Sequence, residues 1–179
     1  MEQQFQYYAF ISYKREDEKW AKWLQDRLRW YKLPSKLCRQ ITRLPKKVWP
    51  VFRDNTDLDS GRLEENIRHE LERSHYLIVI CSPEAARSPW VGKEVKYFAT
   101  LHGADKIIPF VVSGIPYSND IETECIHEQI KAISQEELLA INVREEGIGS
   151  FAMKKKRAFI RVVARLLDIK FNTLWQPYE

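Results

Sequence analysis

The feature that most constrains the fold is a fivefold alternation of short apolar segments with amphipathic ones. The apolar runs lie at residues 7–13, 48–52, 76–81, 107–112 and 139–143. Their short length and β-branched or aromatic content predict strands, and the nearly continuous apolar runs predict strands buried on both faces. Pro50 places the second run at an edge of the sheet, because proline cannot donate a ladder hydrogen bond.

Helical segments separate these strands. In the first of them Trp20, Trp23, Leu24, Leu28 and Tyr31 recur at three and four residues, which predicts an amphipathic helix that ends before Pro34. Further helices are predicted over residues 63–73, 89–101, 126–133 and 151–167. The alternation therefore predicts an α/β fold, a flavodoxin-like doubly wound five-stranded parallel sheet with helices on both faces.

Length and composition are those of one globular domain. The chain has 179 residues, of which 44% are hydrophobic and 30% charged, so it can bury a single core. We expect one domain over residues 1–179, with a core at about 5–170. Residues 171–179 are expected to form a tail or a linker to a further region.

Two polar stretches are expected to be solvated. Residues 36–47 form a basic insertion before the second strand, and residues 154–157 (KKKR) lie on the last helix. The net charge is only +4 and there is no dense arginine stripe. Nucleic acid is therefore not an expected partner, because such binding depends on many phosphate contacts.

The cellular context is also suggested by what the sequence lacks. No run approaches the ~20 apolar residues of a membrane span, and residues 1–10 have no signal-peptide pattern. The three cysteines, Cys38, Cys81 and Cys125, are far apart and do not suggest disulfides. We therefore expect a cytoplasmic protein with no membrane contact by this segment.

Motif absences remove several enzyme classes. The sequence has no GxGxxG, GxxxxGK[ST] or GxSxG motif, so the usual dinucleotide, P-loop and hydrolase signatures are missing. The four histidines show no metal-ligand spacing with each other or with the cysteines. No metal site and no bound cofactor are expected.

Candidate functional residues lie where strands end, since ligands of doubly wound sheets bind outside the carboxyl ends of the strands. Trp90 and Glu94 are four residues apart on a predicted helix and share a face. Alternatively, Trp90 packs under the sheet edge while Glu94 pairs with a lysine on the surface. Cys81 ends the third strand and is expected to be inert core.

Four segments carry a family resemblance: YAFISYKREDEKWAKWL, PVFRDNTDLDSGRL, YLIVICSP and SPWVGKEV. In this order and at these spacings they resemble the four boxes of a bacterial-type Toll/interleukin-1 receptor (TIR) domain, over residues 5–170. The resemblance implies a five-stranded parallel sheet. One class of TIR domains cleaves the nicotinamide–ribose bond of NAD+ and carries a WxxxE motif, which is intact here from Trp90 to Glu94.

The resemblance implies roles for individual residues toward NAD+ as the substrate. Glu94 is the implied catalytic carboxylate, which would bond the ribose hydroxyls as positive charge develops on the sugar. Trp90 would stack on the nicotinamide–ribose end and Tyr13 would form an aromatic wall. Lys14 and Arg53 would meet the pyrophosphate.

Residues 53–63 correspond to the family's BB loop, which contacts a second TIR protomer. The resemblance implies self-association through this loop, with Asp54 and Leu58 beside the substrate and Ser60-Gly61 at a small-residue turn. A downstream effector or a linked domain is a further expected partner.

The leading functional hypothesis is an NAD+-cleaving enzyme of antiphage defence. It would release nicotinamide and either ADP-ribose or a cyclised or conjugated ADP-ribose. The alternative is a non-catalytic TIR interaction module that binds adaptors. A phosphoacceptor domain is disfavoured, because Cys81 stands where the third strand would need to end in aspartate.

Overall fold

The computed structural model describes residues 5–54, 64–134, 136–144, 147 and 149–175 of the chain. The strands within these ranges are β1 (Tyr7–Ser12), β2 (Val51–Arg53), β3 (Ser74–Cys81), β4 (Ile107–Val111) and β5 (Ile141–Asn142). The α-helices within them are α1 (Glu18–Trp30), α2 (Ser35–Gln40), α3 (Glu65–Glu72), α4 (Pro83–Ala86), α5 (Pro89–His102), α6 (Glu128–Ile133), α7 (Phe151–Leu167) and α8 (Phe171–Leu174).

The strands form one parallel sheet in the order β2-β1-β3-β4-β5. The predicted parallel α/β sheet is thus confirmed, with β2 at an edge as Pro50 indicated. The long strand β3 lies in the centre, paired to β1 through Ile11↔Ile78 and to β4 through Ile78↔Ile108. Its six residues from Tyr76 to Cys81 are all buried, as expected for a strand covered on both faces.

Alternating side chains of the strands supply two hydrophobic cores. Ala9 and Ile11 of β1 pack with residues of α1 and α7 on one face of the sheet. Phe10, between them, packs with residues of α3, α5 and α6 on the other face. The doubly wound arrangement follows directly from this period-two alternation, since successive side chains of a strand point to opposite faces.

The basic insertion at 36–47 was expected to be a solvated loop, and this prediction was wrong. Residues 35–40 form α2, and Leu37 and Leu44 are each 7% exposed within the α1–α7 core. The amide of Leu33 donates to the carbonyl of Lys46 at 3.0 Å, which closes the segment on itself. Its two leucines anchor the segment while its cations face outward.

The KKKR run at 154–157 is half-buried instead of fully solvated. The Nζ of Lys155 lies 5.1 Å from the Trp20 ring centroid and 4.7 Å from that of Trp23. Because lysine stems are apolar and cationic groups are attracted to aromatic faces, Lys155 covers rings of α1, while Lys156 and Arg157 lie over the Trp175 ring. None of the helices in the described ranges is long and apolar enough to cross a bilayer.

Candidate active site

Helix α5 begins where the sequence predicted and carries the WxxxE residues to the carboxyl edge of the sheet. The Ser88 hydroxyl caps the helix by accepting a hydrogen bond from the Val91 amide at 3.2 Å, and Pro89 is the first helical residue. Trp90 and Glu94 then lie one turn apart on the same face. This face meets the ends of β1 and β2.

Glu94 is completely buried at the end of β1. The hydroxyl of Ser12, the last residue of that strand, donates to Glu94 Oε1 at 2.8 Å. The other oxygen, Oε2, is buried and has no hydrogen-bond donor among the described residues. The alternative of a surface Glu94 paired with a lysine is therefore wrong.

Asp54 joins Trp90 and Glu94 in one cluster. The Trp90 indole N–H donates to Asp54 Oδ2 at 2.9 Å, and Asp54 is only 5% exposed. The negative charge of Asp54 is close enough to act on the Glu94 carboxyl.

The environment favours the protonated form of Glu94. Burial raises the pKa of Glu94 well above its usual range, and the negative charge of Asp54 raises it further. The hydrogen bond from Ser12 acts in the opposite direction but is the smaller effect. In this cluster the acid form of Glu94 is therefore favoured over the carboxylate.

A second group of predicted residues gathers around Arg53. Its Nη1 donates to the Tyr13 hydroxyl at 2.8 Å, and its Nε donates to Gln25 Oε1 at 3.0 Å. The nearest oxygen of Glu18 lies 3.7 Å from Nη1. Tyr13 and Arg53 are thus hydrogen-bonded to each other beside the strand ends. Burial raises the pKa of the Tyr13 hydroxyl, although the positive charge of Arg53 acts to lower it.

Lys14 and Leu58 are the remaining predicted site residues. Lys14 is half-buried after β1, and its carbonyl accepts from the Asp17 amide at 2.8 Å. Leu58, together with the proposed turn at Ser60-Gly61, lies outside the described residues. Their assignment to the site stays a prediction.

The sequence analysis missed Ser12, which supplies the hydrogen bond that holds Glu94. Its signal was available, because Ser12 is the polar residue in the otherwise apolar run AFIS. A buried hydroxyl in such a strand needs a partner. Because Ser12 ends β1, that partner was to be sought at the carboxyl edge of the sheet.

A second buried carboxyl, Asp17, was also missed. Ser82 follows β3 and donates to Asp17 Oδ2 at 2.5 Å, while its oxygen caps α4 through the Ala85 amide at 3.1 Å. Burial raises the pKa of Asp17, against the effect of the Ser82 hydrogen bond. Nothing in the charged run KREDEK distinguishes Asp17 from its exposed neighbours.

Cys81 is buried, as expected for core. It is 1% exposed, its Sγ donates to the Val79 carbonyl at 3.3 Å, and burial raises the pKa of the thiol well above its usual range. A buried thiol of this kind is a poor nucleophile. The carboxyl cluster thus carries the chemistry that this edge of the sheet can offer.

Comparisons with known proteins agree with this geometry. A sequence model of the TIR domain family matches residues 9–137. A curated relative, the NAD(+) hydrolase ApTIR of Actinoplanes sp., is 36% identical over 110 residues. The match covers 60% of this chain, and the chain spans 14% of the length of that relative.

The fold also matches solved TIR domains. The TIR domains in a structure of the activated Roq1 resistosome, which directly recognises the pathogen effector XopQ, superpose with a TM-score of 0.56. The alignment covers 86% of this chain and 98% of that one at 14% identity, a likeness of fold alone. Because the family match extends over most of the sequence, this chain belongs to the TIR domain family.

Proposed function

We propose that this TIR domain cleaves the nicotinamide–ribose bond of NAD+, with Glu94 as the catalytic residue. The observation that carries the proposal is the buried Glu94 carboxyl, held through one oxygen by Ser12 and with Oε2 free of donors among the described residues. The similarity to an NAD(+) hydrolase supports the same substrate.

The reaction explains why a single carboxylate is enough. Heterolysis of the bond sends its electron pair to the pyridinium nitrogen, so nicotinamide leaves neutral and no acid has to protonate it. The ribosyl centre becomes oxocarbenium-like, and water or an internal nucleophile adds to it with loss of a proton. A Glu94 carboxylate that accepts hydrogen bonds from ribose hydroxyls would stabilise that positive charge in a desolvated site.

Substrate charge would also set the protonation state. In the cluster with Ser12 and Asp54, Glu94 favours its acid form because of burial and the charge of Asp54. The nicotinamidium is a cation, and a cation nearby favours the ionised carboxyl. NAD+ binding would therefore favour loss of the proton from Glu94 and create the charged group that the transition state requires.

The remaining site residues are proposed to bind the substrate. Trp90 would present its ring to the nicotinamide–ribose end while its N–H holds Asp54. Tyr13 would form the aromatic wall, and Lys14 would approach the pyrophosphate. Arg53 would have to share its guanidinium between the pyrophosphate and its present partners.

Self-association through residues 53–63 is part of the proposal. Arg53 and Asp54 begin this segment, and Asp54 contacts the Glu94 cluster. A second protomer that binds the segment, including Leu58, would therefore act directly beside the catalytic residue. A downstream effector, a cytoplasmic location and a role in antiphage defence stay predictions.

Direct product analysis tests the proposal. Concentrated protein is incubated with NAD+, and nicotinamide and the ADP-ribose products are quantified by mass spectrometry. We expect Glu94→Gln to abolish nicotinamide release, because the amide lacks charge but keeps the volume. Glu65→Gln, on the exposed start of α3, is the matched control. Release at the parent rate by the Glu94 variant would contradict the proposed role.

A further inference from the structure

A long stretch of the chain is basic without a single acid. Residues 27–53 contain nine of the 29 lysines and arginines and no aspartate or glutamate. The net charge of +4 does not reveal this segment, because acidic residues elsewhere in the chain offset its positive charge. It runs from the end of α1 through α2 to β2, and α1 leads from the carboxyl end of β1 back to the amino end of β2. Apart from Arg53, which ends β2 beside Tyr13, the segment therefore lies toward the amino ends of the strands, opposite Glu94.

The structure folds part of this stretch into a groove of about 610 Å³, here called the basic groove. Its walls include four cations, and none of the described residues that line it is acidic: Lys32, Arg39, Lys46 and Lys47. Leu37 and Leu44 hold the segment to the core. The four cationic residues therefore belong to a segment whose backbone is held in place by packing against the core.

An aromatic cleft of about 460 Å³ adjoins the basic groove. Lys32 lines both, the rings of the cleft are Trp23, Trp30, Tyr31 and Phe159, and its charged lining is Arg27, Lys32 and one acid, Asp26. Trp30 is 71% exposed, the Arg29 guanidinium lies 5.5 Å from its ring centroid, and Lys47 Nζ lies 6.0 Å from it. An exposed ring flanked by cations is a stacking platform for an unpaired base.

We propose that the basic groove and the aromatic cleft bind single-stranded nucleic acid, with phosphates in the groove and a base on Trp30. A single strand fits because a paired base could not reach the ring. Four cations in the groove exceed what one mononucleotide needs, which favours a chain of phosphates. This site is separate from the NAD+ site and does not depend on it.

An anionic membrane fits these features less well. Interfacial binding needs several apolar side chains that enter the bilayer together with the cations. Among the described residues, Trp30 is the only strongly exposed large hydrophobic residue that lines either cavity. One ring among cations suits base stacking better than insertion into lipid.

The test is fluorescence anisotropy of labelled 15-nucleotide strands, oligo-dT and oligo-U, with the full chain across a salt series. Single-strand binding loses about 0.7 in log affinity per log salt for each phosphate contact. Four contacts predict a slope of about −3. A slope near zero, or no binding at low salt, would overturn the proposal.

Two variants separate charge from stacking. Arg39→Gln with Lys46→Gln removes two of the four contacts and should reduce the size of the slope by about 1.4 and the low-salt affinity at least about tenfold. Trp30→Ala should lower affinity about fivefold or more and leave the slope unchanged. The matched control, Lys96→Gln with Lys170→Gln, removes the same charge from exposed positions elsewhere and should keep parent affinity. Equal losses in variant and control would contradict a defined site.

Competing ligands decide between partner classes. Inorganic polyphosphate should compete more weakly than oligo-dT, because it offers no base to Trp30. A duplex of the same length should also bind more weakly. If polyphosphate competes as well as oligo-dT and Trp30→Ala binds oligo-dT with the parent affinity, charge attraction alone explains the binding and the proposal is overturned. Tighter binding to phosphatidylserine vesicles than to oligo-dT would also overturn it. Thermal unfolding of each variant checks that the fold is retained.

Discussion

At the scale of single residues, the strongest statement concerns the energy of a buried acid. Glu94 sits in the core with one donor, from Ser12, and a second carboxyl close by. Burying an ionised carboxylate is costly unless it is fully hydrogen-bonded. This domain therefore gives up stability at the position that we propose for catalysis, as expected for a functional site.

Because burying the ionised Glu94 carboxylate costs free energy, the effect of Glu94→Gln on stability should depend on pH. Because the folded-state pKa of Glu94 is raised, the native state binds more protons than the unfolded state above the ordinary glutamate pKa. Its contribution to the free energy of unfolding is thus present at low pH and falls as pH rises. We expect the Gln variant to melt higher than the parent at about pH 8 and equally at about pH 4.

Thermal unfolding of Glu94→Gln and parent at both pH values measures this difference. Glu65→Gln, exposed on α3, is the control and should show no such change between the two pH values. A Gln variant that melts lower than the parent at pH 8 would mean that the Glu94 carboxylate is well stabilised in the folded domain. A raised pKa of Glu94 in the folded domain would then be wrong.

Asp54 gives a prediction about the pH dependence of catalysis. Asp54→Asn removes the negative charge that raises the pKa of Glu94, while its amide oxygen can still accept from Trp90. The acid limb of kcat/KM for NAD+ reports ionisation in the free enzyme. We expect this limb to move to lower pH in the Asn variant.

The effect should be partial, because burial remains the larger cause of the raised pKa. Asp26→Asn, on the exposed face of α1, should leave the limb in place. An unmoved limb in Asp54→Asn would assign it to another group, such as Asp17, whose pKa is also raised by burial.

Residue spacing predicted part of this site and could not predict the rest. Trp90 and Glu94 were recognisable because i,i+4 spacing holds in any helix. The bonds of Trp90 to Asp54 and of Ser12 to Glu94 join residues 36 and 82 positions apart. Such pairs depend on which strand ends lie together, and sequence spacing does not contain that information.

At the scale of elements, α5 shows why a glycine stands inside the WxxxE motif. A Cβ at Gly92 would lie 2.5 Å from Cε1 and 2.8 Å from Nε2 of His127. The same Nε2 is 2.8 Å from the Ser88 carbonyl, and His127 Nδ1 accepts from the Gln129 amide at 3.0 Å. Gly92 thus allows α6 to begin against the first turns of α5.

We therefore expect Gly92→Ala to destabilise the domain. In an open helix this change would stabilise by about 1 kcal/mol, but overpacking of a filled site costs about 1–3 kcal/mol. A lower melting temperature is the expected net result. The double variant with His127→Ala should lose less stability than the sum of the two single variants, because the smaller residue leaves room for the methyl group. Additive losses would exclude the clash.

The elements themselves were predicted unevenly. Helix α7 was predicted over residues 151–167 and observed as Phe151–Leu167, because its apolar face is long and its Ser150 cap is local. Strand β5 was predicted over 139–143 and pairs only at Ile141 and Asn142. Its length depends on the register with β4, which the local sequence does not define. Helix α2 was missed, because the cations of residues 36–47 obscured the two leucines that bury it.

At the scale of the whole molecule, the sheet separates two proposed activities. Ser12, Asp54 and Glu94 lie at the carboxyl ends of the strands. The basic groove lies at the amino ends. Asp54 directly follows β2 and lies in the cluster with Glu94, and it belongs to the segment 53–63 that we propose for self-association. A neighbouring protomer that contacts this segment near Asp54 would therefore lie beside the proposed catalytic site.

This arrangement predicts that specific activity toward NAD+ depends on protein concentration. If the assembled form is the competent one, activity follows the assembled fraction. For a dimer well below its dissociation constant, that fraction falls about tenfold for each tenfold dilution. Nicotinamide release measured over about a hundredfold dilution should therefore fall faster than linearly with protein. Leu58→Ala should lose most activity at low concentration and recover at high concentration, whereas Leu101→Ala, 45% exposed on α5, should follow the parent curve. A constant specific activity across the series would mean that each protomer carries a complete site, and residues 53–63 would then have no part in assembling it.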